Sequence, residues 1–219
     1  MNGIWILLLL ILAAALPAII VFFLYRVRKS AVTLPWFLAA LAAGIISLLI
    51  AALIQSFFSA GRNGQYGLWS IFFDVFIRIA LVEEASRLVT LLPLIKTGSR
   101  RLHGGRSLGP VFGLAAGLGF AALENAFYGM ADINITLLRA FTAAPIHGAC
   151  GIRAGTAVSI AGEHPVRSLI LFISTVLIHG AYNLIIISPP IPSALAIPAA
   201  LAALFASLPL MKNARSEEL

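Results

Sequence analysis

Apolar residues run along the chain in long blocks, each separated from the next by a short polar, glycine-containing or proline-containing stretch. About 20 consecutive apolar residues are needed for an α-helix to cross the hydrocarbon core of a bilayer. Hydropathy predicts seven such helices, at 3–25, 34–58, 68–95, 109–129, 136–161, 168–187 and 191–211. The predicted fold is therefore all-α, a polytopic transmembrane helix bundle of about seven spans that forms one membrane-embedded domain over residues 1–219.

Positive charge distinguishes the two sides of this predicted bundle. Loops on one side carry most of the basic residues, whereas loops on the other side carry only Arg62. Because cytoplasmic loops hold an excess of Lys and Arg, the asymmetry predicts an N-out, C-in topology. The basic side comprises Arg26, Arg28, Lys29, Lys96, Arg100, Arg101, Arg106, Arg167, Lys212 and Arg215.

Composition supports a membrane protein and changes the interpretation of the net charge. The chain is 61% hydrophobic and 11% charged, whereas soluble domains are about 45–50% apolar and about 25% charged. The net charge of +7 is concentrated in the cytoplasmic loops, where it sets the orientation and contacts lipid headgroups. Membrane lipids are therefore predicted partners, and nucleic acid is not.

The third predicted span is unusual because it carries five charged residues within the stretch DVFIRIALVEEASR. A charged side chain at the bilayer centre costs about 2.5–3.5 kcal/mol on insertion scales, so such residues need partners or a function. Asp74 and Arg78 lie four residues apart and are predicted to form a structural ion pair. Glu83 and Arg87 have the same spacing and can also pair, but Glu84 points about 100° away around the helix.

Small residues repeat every four positions along the fourth and fifth spans. Residues four apart share one face of a helix, and small residues on that face let another membrane helix approach closely. The pattern predicts tight packing of both spans against neighbouring helices. The residues are Gly109, Gly113, Gly117, Ala121, Asn125 and Gly129 in the fourth span, and His147, Gly151, Gly155 and Ser159 in the fifth.

Four further polar residues lie well inside the later spans, namely Glu124, His147, His179 and Asn183. At 1.5 Å per residue, Glu83 and His147 fall near the middle of the membrane and His179 lies close to that depth. Glu124 and Asn183 lie somewhat toward the outer side. The depths overlap enough to predict one shared, hydrated pocket in the outer half of the membrane.

Carboxylates and imidazoles in such a pocket permit several chemistries. A buried glutamate can take a proton from water, a histidine can orient the water or donate to a leaving amine, and His and Asn donors can stabilise an oxyanion. The same side chains can instead bind a metal that acidifies water, form interhelical hydrogen bonds or relay protons in a transporter. Peptide-bond hydrolysis within the membrane is one reaction that needs the water-activating set.

The order and spacing of these residues resemble the PrsW family of bacterial intramembrane proteases, which shares motifs with the CAAX prenyl endopeptidase superfamily. The resemblance covers residues from about 68 to 187. The chain departs from the family pattern at two positions. Arg87 stands where lysine is frequent, and Asn183 stands where aspartate is also common. The motifs are Glu83-Glu84-Ala-Ser-Arg87, Phe120-Ala-Ala-Leu-Glu124-Asn125, His147 within PIHGACG, and His179-Gly-Ala-Tyr-Asn183.

The resemblance implies an intramembrane endopeptidase of the bacterial cytoplasmic membrane that cleaves a single-span, anti-sigma-factor-like regulatory protein. By analogy to the superfamily, Glu83 is the general base, and Glu124 helps to hold the water or a metal. His179 and Asn183 then face the developing oxyanion, and Arg87 fixes Glu83.

Glu84 and His147 complete the site that the resemblance implies, and the choice between a glutamic and a metallo mechanism stays open. Zn²⁺ is the cofactor considered for the metallo type, because Glu and His side chains ligate it. Two other functions stay open, a non-catalytic scaffold or substrate-binding subunit and a proton-coupled transporter, although the inverted repeat of many transporters is not evident. The candidate metal ligands are Glu84, Glu124, His147 and His179.

Overall fold

The computed structural model describes residues 5, 15–21, 23, 32–58, 67–102, 108–130, 133–187 and 192–216. The regular structure within these ranges is helical, without a strand. Three of the helices, Leu34–Phe58, Leu108–Gly129 and Pro165–Ile187, are long and apolar enough to cross a membrane. The all-α membrane fold is thus confirmed, whereas the count of seven spans and their orientation stay predictions, and most of the predicted span 3–25 lies outside the described residues.

We number the helices in chain order from the first one that is described over its whole length. The element order is α1 (Leu34–Phe58), α2 (Leu68–Phe72), a π-helical segment (Phe73–Leu81), α3 (Val82–Arg101), α4 (Leu108–Gly129), α5 (Ile133–Phe141), α6 (Ala143–Ile160), α7 (Pro165–Ile187), a 3₁₀ turn (Ser193–Leu195) and α8 (Ala196–Ser216).

The third predicted span is one continuous helical rod with an internal change of winding. The π-helical segment Phe73–Leu81 joins α2 to α3, and helical backbone angles continue through both junctions. In a π-helix each hydrogen bond joins residues five apart, and such segments are frequent at functional sites. The rod also extends to Arg101, so residues 96–101, which lie beyond the end of the predicted span 68–95, are helical as well.

The fifth predicted span, 136–161, is two helices rather than one. Helix α5 ends at Phe141, and α6 begins at Ala143 after Thr142, whose φ of −118° departs from helical geometry. Pro145 explains the break, because proline has no N–H to donate to the carbonyl of Phe141 and its ring would clash with that carbonyl in a continuous helix.

Helix α4 is the central element, with every residue from Leu108 to Ala122 buried. It packs so closely on α6 and α1 that a methyl group added to its small residues would collide with a neighbouring backbone. The predicted close packing of the fourth and fifth spans is therefore confirmed, and each is the other's partner. In α4, Gly109, Gly113 and Gly117 face the carbonyls of Gly155, Gly151 and His147 in α6, and Gly119 faces that of Leu41 in α1.

Candidate functional site

The ionisable side chains predicted to share a pocket converge from four helices. All of them except the partly exposed Glu124 are almost fully buried, and a buried charge is stable only when other polar groups compensate it. The members are Glu83, Glu84 and Arg87 near the start of α3, Glu124 near the end of α4, His147 near the start of α6 and His179 in α7.

Glu84 lies at the centre of this group. Its Oε2 accepts from Nη1 of Arg87, and its Oε1 lies 2.7 Å from Nδ1 of His179. Both Glu84 and Arg87 are completely buried, and the Arg87 guanidinium also lies over the ring of Phe120 at 4.7 Å. The expectation that Arg87 fixes Glu83 by direct contact is therefore wrong, because the buried guanidinium binds Glu84 instead.

Glu83 has a different environment. Gln55, near the end of α1, donates from Nε2 to Oε1 of Glu83 at 3.2 Å. The second oxygen, Oε2, is buried and has no hydrogen-bond partner among the described residues. It faces Nε2 of His179 at 3.5 Å, which is too far for a direct hydrogen bond. The two adjacent carboxylates therefore differ. Glu84 is paired with Arg87, whereas Oε2 of Glu83 has no hydrogen-bond partner among the described residues.

His147 connects this pair to the end of α4. Its Nε2 lies 2.8 Å from Oε2 of Glu124, and its Nδ1 lies 3.4 Å from Nη2 of Arg87. Because a guanidinium can only donate, Nδ1 is the acceptor, and the proton on Nε2 is donated to Glu124. The ring meets that of His179 edge-on, with the two centroids 5.0 Å apart.

Glu124 has a second partner that the sequence analysis did not include in the site. Arg139 in α5 places Nη2 2.7 Å from Oε2 of Glu124 and donates from Nε to Oδ1 of Asn125 at 2.8 Å. Its guanidinium also lies over the ring of Tyr128 at 4.1 Å. The signal in the sequence was a cation within a predicted span, which requires a partner.

Asn183 and the Asp74–Arg78 pair complete the account of the predicted residues. Asn183 is half-buried one helical turn after His179, and the described part of the chain provides no hydrogen-bond partner for it. Arg78 donates from Nε to Oδ1 of Asp74 at 2.9 Å. The predicted structural ion pair is therefore confirmed, and it is separate from the pocket.

The residues present fit a metal ion. Glu84, His147 and His179 each offer a ligand atom, and these three atoms lie within 4.8 Å of one another. Two imidazoles and one carboxylate are a ligand set that zinc accepts. Glu124, the fourth predicted ligand, is not in this group, but its hydrogen bond to His147 is of the kind that orients a ligating imidazole.

One family of known proteins matches the chain over most of its length. The model of a family described as PrsW family intramembrane metalloprotease matches residues 32–211. The match includes every side chain of the pocket and extends beyond 68–187 into α1 and α8. No curated protein and no solved structure matches the chain.

Proposed function

Because the chain belongs to the PrsW family of intramembrane metalloproteases, we propose that it hydrolyses a peptide bond of a single-span regulatory protein, of the anti-sigma-factor type, in the bacterial cytoplasmic membrane. The family match supports the reaction class, and the apolar helices support its location in a bilayer. The proposed mechanism follows the analogy to the CAAX prenyl endopeptidase superfamily, whose motifs those of this chain resemble.

One observation carries the proposal: Oε2 of Glu83 is buried, has no hydrogen-bond partner among the described residues and faces His179. A water that lies alongside this pair would contact both groups, since the 3.5 Å separation leaves no room directly between them. Glu83 then takes a proton from the water as the water oxygen bonds to the scissile carbonyl carbon. The proton passes to the leaving nitrogen as the C–N bond breaks, which returns Glu83 to its starting state.

The other side chains hold this arrangement and stabilise the charge that develops. Arg87 and Glu84 fix Nδ1 of His179, so that its Nε2 points toward Glu83. Asn183, one turn further along α7, supplies a neutral donor for the oxyanion that forms on the attacked carbonyl. His147 keeps Glu124 in place through a 2.8 Å contact.

A metal ion fits the same site, with Glu84, His147 and His179 as the side chains that would hold it. Bound there, zinc would acidify water and polarise the scissile carbonyl. Glu83 lies next to this group without belonging to it, so its free oxygen remains available as the proton acceptor.

The test begins by identifying a substrate in cells. Membrane proteins from cells that express the wild type or Glu83→Gln are compared by mass spectrometry of new N-termini, and a single-span protein cut only by the wild type is purified. Cleavage is then measured after co-reconstitution in vesicles. Asp74→Asn is the matched control, because it removes a carboxylate of the same helical rod that pairs with Arg78 outside the pocket.

We expect the wild type and Asp74→Asn to cleave, and Glu83→Gln and His179→Ala to lose about 10²–10⁴-fold in rate, as expected for loss of a general base. Unchanged turnover in both pocket variants would contradict the proposal. Binding of a single-span protein without any turnover by the wild type would instead support a scaffold. Solute uptake driven by a pH gradient would support a transporter.

A further inference from the structure

We propose that Gln55 is a positioning residue for Glu83, and that it holds the carboxylate in the orientation that directs one oxygen toward the attacking water. Gln55 lies in the last turn of α1, a helix that carries none of the sequence motifs. This role rests on the proposed function, because it acts on the proposed general base.

The location of Gln55 is unusual for its helix. It follows the apolar run IISLLIAALI in a helix that is long and apolar enough to span a membrane. A polar amide within such a helix is unfavourable unless it finds a hydrogen-bond partner. Gln55 donates to Glu83 at 3.2 Å, and the close contacts of Gly44 with α4 hold α1 in place.

The hydrogen bond from Gln55 restricts rotation of the Glu83 carboxylate about its terminal torsion. The terminal torsion of a glutamate is broad and roughly two-fold, so the two oxygens of Glu83 would otherwise exchange easily. With Oε1 bound by Gln55, Oε2 is the oxygen that faces Nε2 of His179. Gln55 thereby restricts the plane of the Glu83 carboxylate, so that one oxygen is engaged by the amide while the other is directed toward His179.

The neutrality of Gln55 is as important as its hydrogen bond. Glu84 is paired with the cation Arg87, which balances its charge and keeps it an acceptor for His179. Glu83 receives a neutral amide donor instead, so Gln55 orients it without placing a second fixed cation beside the pair of carboxylates. The adjacent carboxylates are thus assigned to structure and to proton transfer by the charge of their partners.

Kinetics on the reconstituted substrate test this role. Gln55→Met keeps the length of the side chain but removes the donor, and we expect kcat to fall by about tenfold while KM stays within about twofold. Gln55→Lys restores a donor but adds a charge, and it should not recover kcat. Ser56→Ala is the control, because the Ser56 hydroxyl binds only the carbonyl of Leu53 in its own helix among the described residues.

A second measurement does not depend on turnover. Dicyclohexylcarbodiimide modifies carboxyl groups within membranes, and mass spectrometry gives its rate at each glutamate. We expect Glu83 to react several-fold faster in Gln55→Met than in the wild type, while Glu84 stays slow in both. Unchanged kcat together with unchanged labelling of Glu83 would overturn the proposal. Absence of cleavage by the wild type would count against the proposed function, whereas the labelling would still decide the role of Gln55.

Discussion

Arg87 binds Glu84, three residues earlier in the same helix, and not Glu83, which lies four residues earlier. Both spacings bring side chains together on a helix surface, so tertiary packing decides between them. Arg87 is completely buried and is also contacted by Phe120 and His147. The Arg87–Glu84 pair therefore belongs to the interior of the bundle, where breaking it strongly lowers the stability of the fold.

We expect Arg87→Met to lower the free energy of unfolding by about 3–5 kcal/mol, because it leaves the Glu84 carboxylate buried without its cation. Arg87→Lys should be milder, since it retains the charge but loses the forked geometry. Unfolding in detergent, followed by circular dichroism, measures both. The double variant Arg87→Met, Glu84→Gln should recover part of the loss, and an additive loss would contradict a direct pair.

Gly113→Ala tests the backbone contact between α4 and α6. The added methyl group would collide with the carbonyl oxygen of Gly151, and overpacking of this kind lowers stability by about 1–3 kcal/mol. Gly162→Ala is the matched control, because a methyl group there meets no atom within 4 Å. Equal midpoints of thermal unfolding for the two variants would contradict this contact, because they would show that α4 and α6 can move apart without loss of stability.

Metal binding should depend on the residues that hold and orient the ligands. We expect the purified protein to bind about one Zn²⁺ per chain, with loss of binding in His147→Ala. Glu124→Gln should weaken binding by about 10–100-fold, because Glu124 orients His147. Titration calorimetry measures the affinities, with Asp74→Asn as control. Full activity in the presence of a strong chelator would favour the metal-free glutamate mechanism.

Arg139 connects α5 to the end of α4 through Glu124 and Asn125. We expect Arg139→Gln to lower cleavage by about tenfold, because Glu124 loses the charge-assisted contact that fixes it, and Arg139→Lys to retain more activity. Arg153→Gln is the control, since Arg153 is a second cation within a predicted span but binds Ser174 and Ser207. Equal losses in the two glutamine variants would indicate a general effect on folding.

Local patterns in the sequence predicted much of the bundle. Hydropathy located the helices that begin at Leu34, Leu108 and Pro165, because length and apolar content are local properties. The four-residue step of small residues predicted close packing of α4 and α6 against neighbouring helices for the same reason, but it did not predict that each would be the other's partner. The break at Thr142 was missed, although Pro145 provides a physical cause, because a hydropathy window averages over a single proline.

The partners within the site were harder to predict, because they depend on tertiary geometry. Gln55 and Arg139 lie outside the motifs, and their roles follow from which helix packs against which. The preference of Arg87 for Glu84 follows from burial, which a helical wheel does not contain. The π-helical segment before these residues also changes the rotation per residue, so a single period could not relate Asp74 to Glu83.

The contact between α4 and α6 also fixes how deep an ionisable group lies in the membrane. Gly117 meets the backbone of His147, and each neighbouring contact lies four residues earlier in α4 and four residues later in α6. A slip by one such step would move His147 by about 6 Å along its axis, out of reach of Glu124. Residues without side chains thereby determine the height at which an imidazole and a carboxylate meet, and a loss of activity after a glycine substitution would reflect displacement and not altered chemistry.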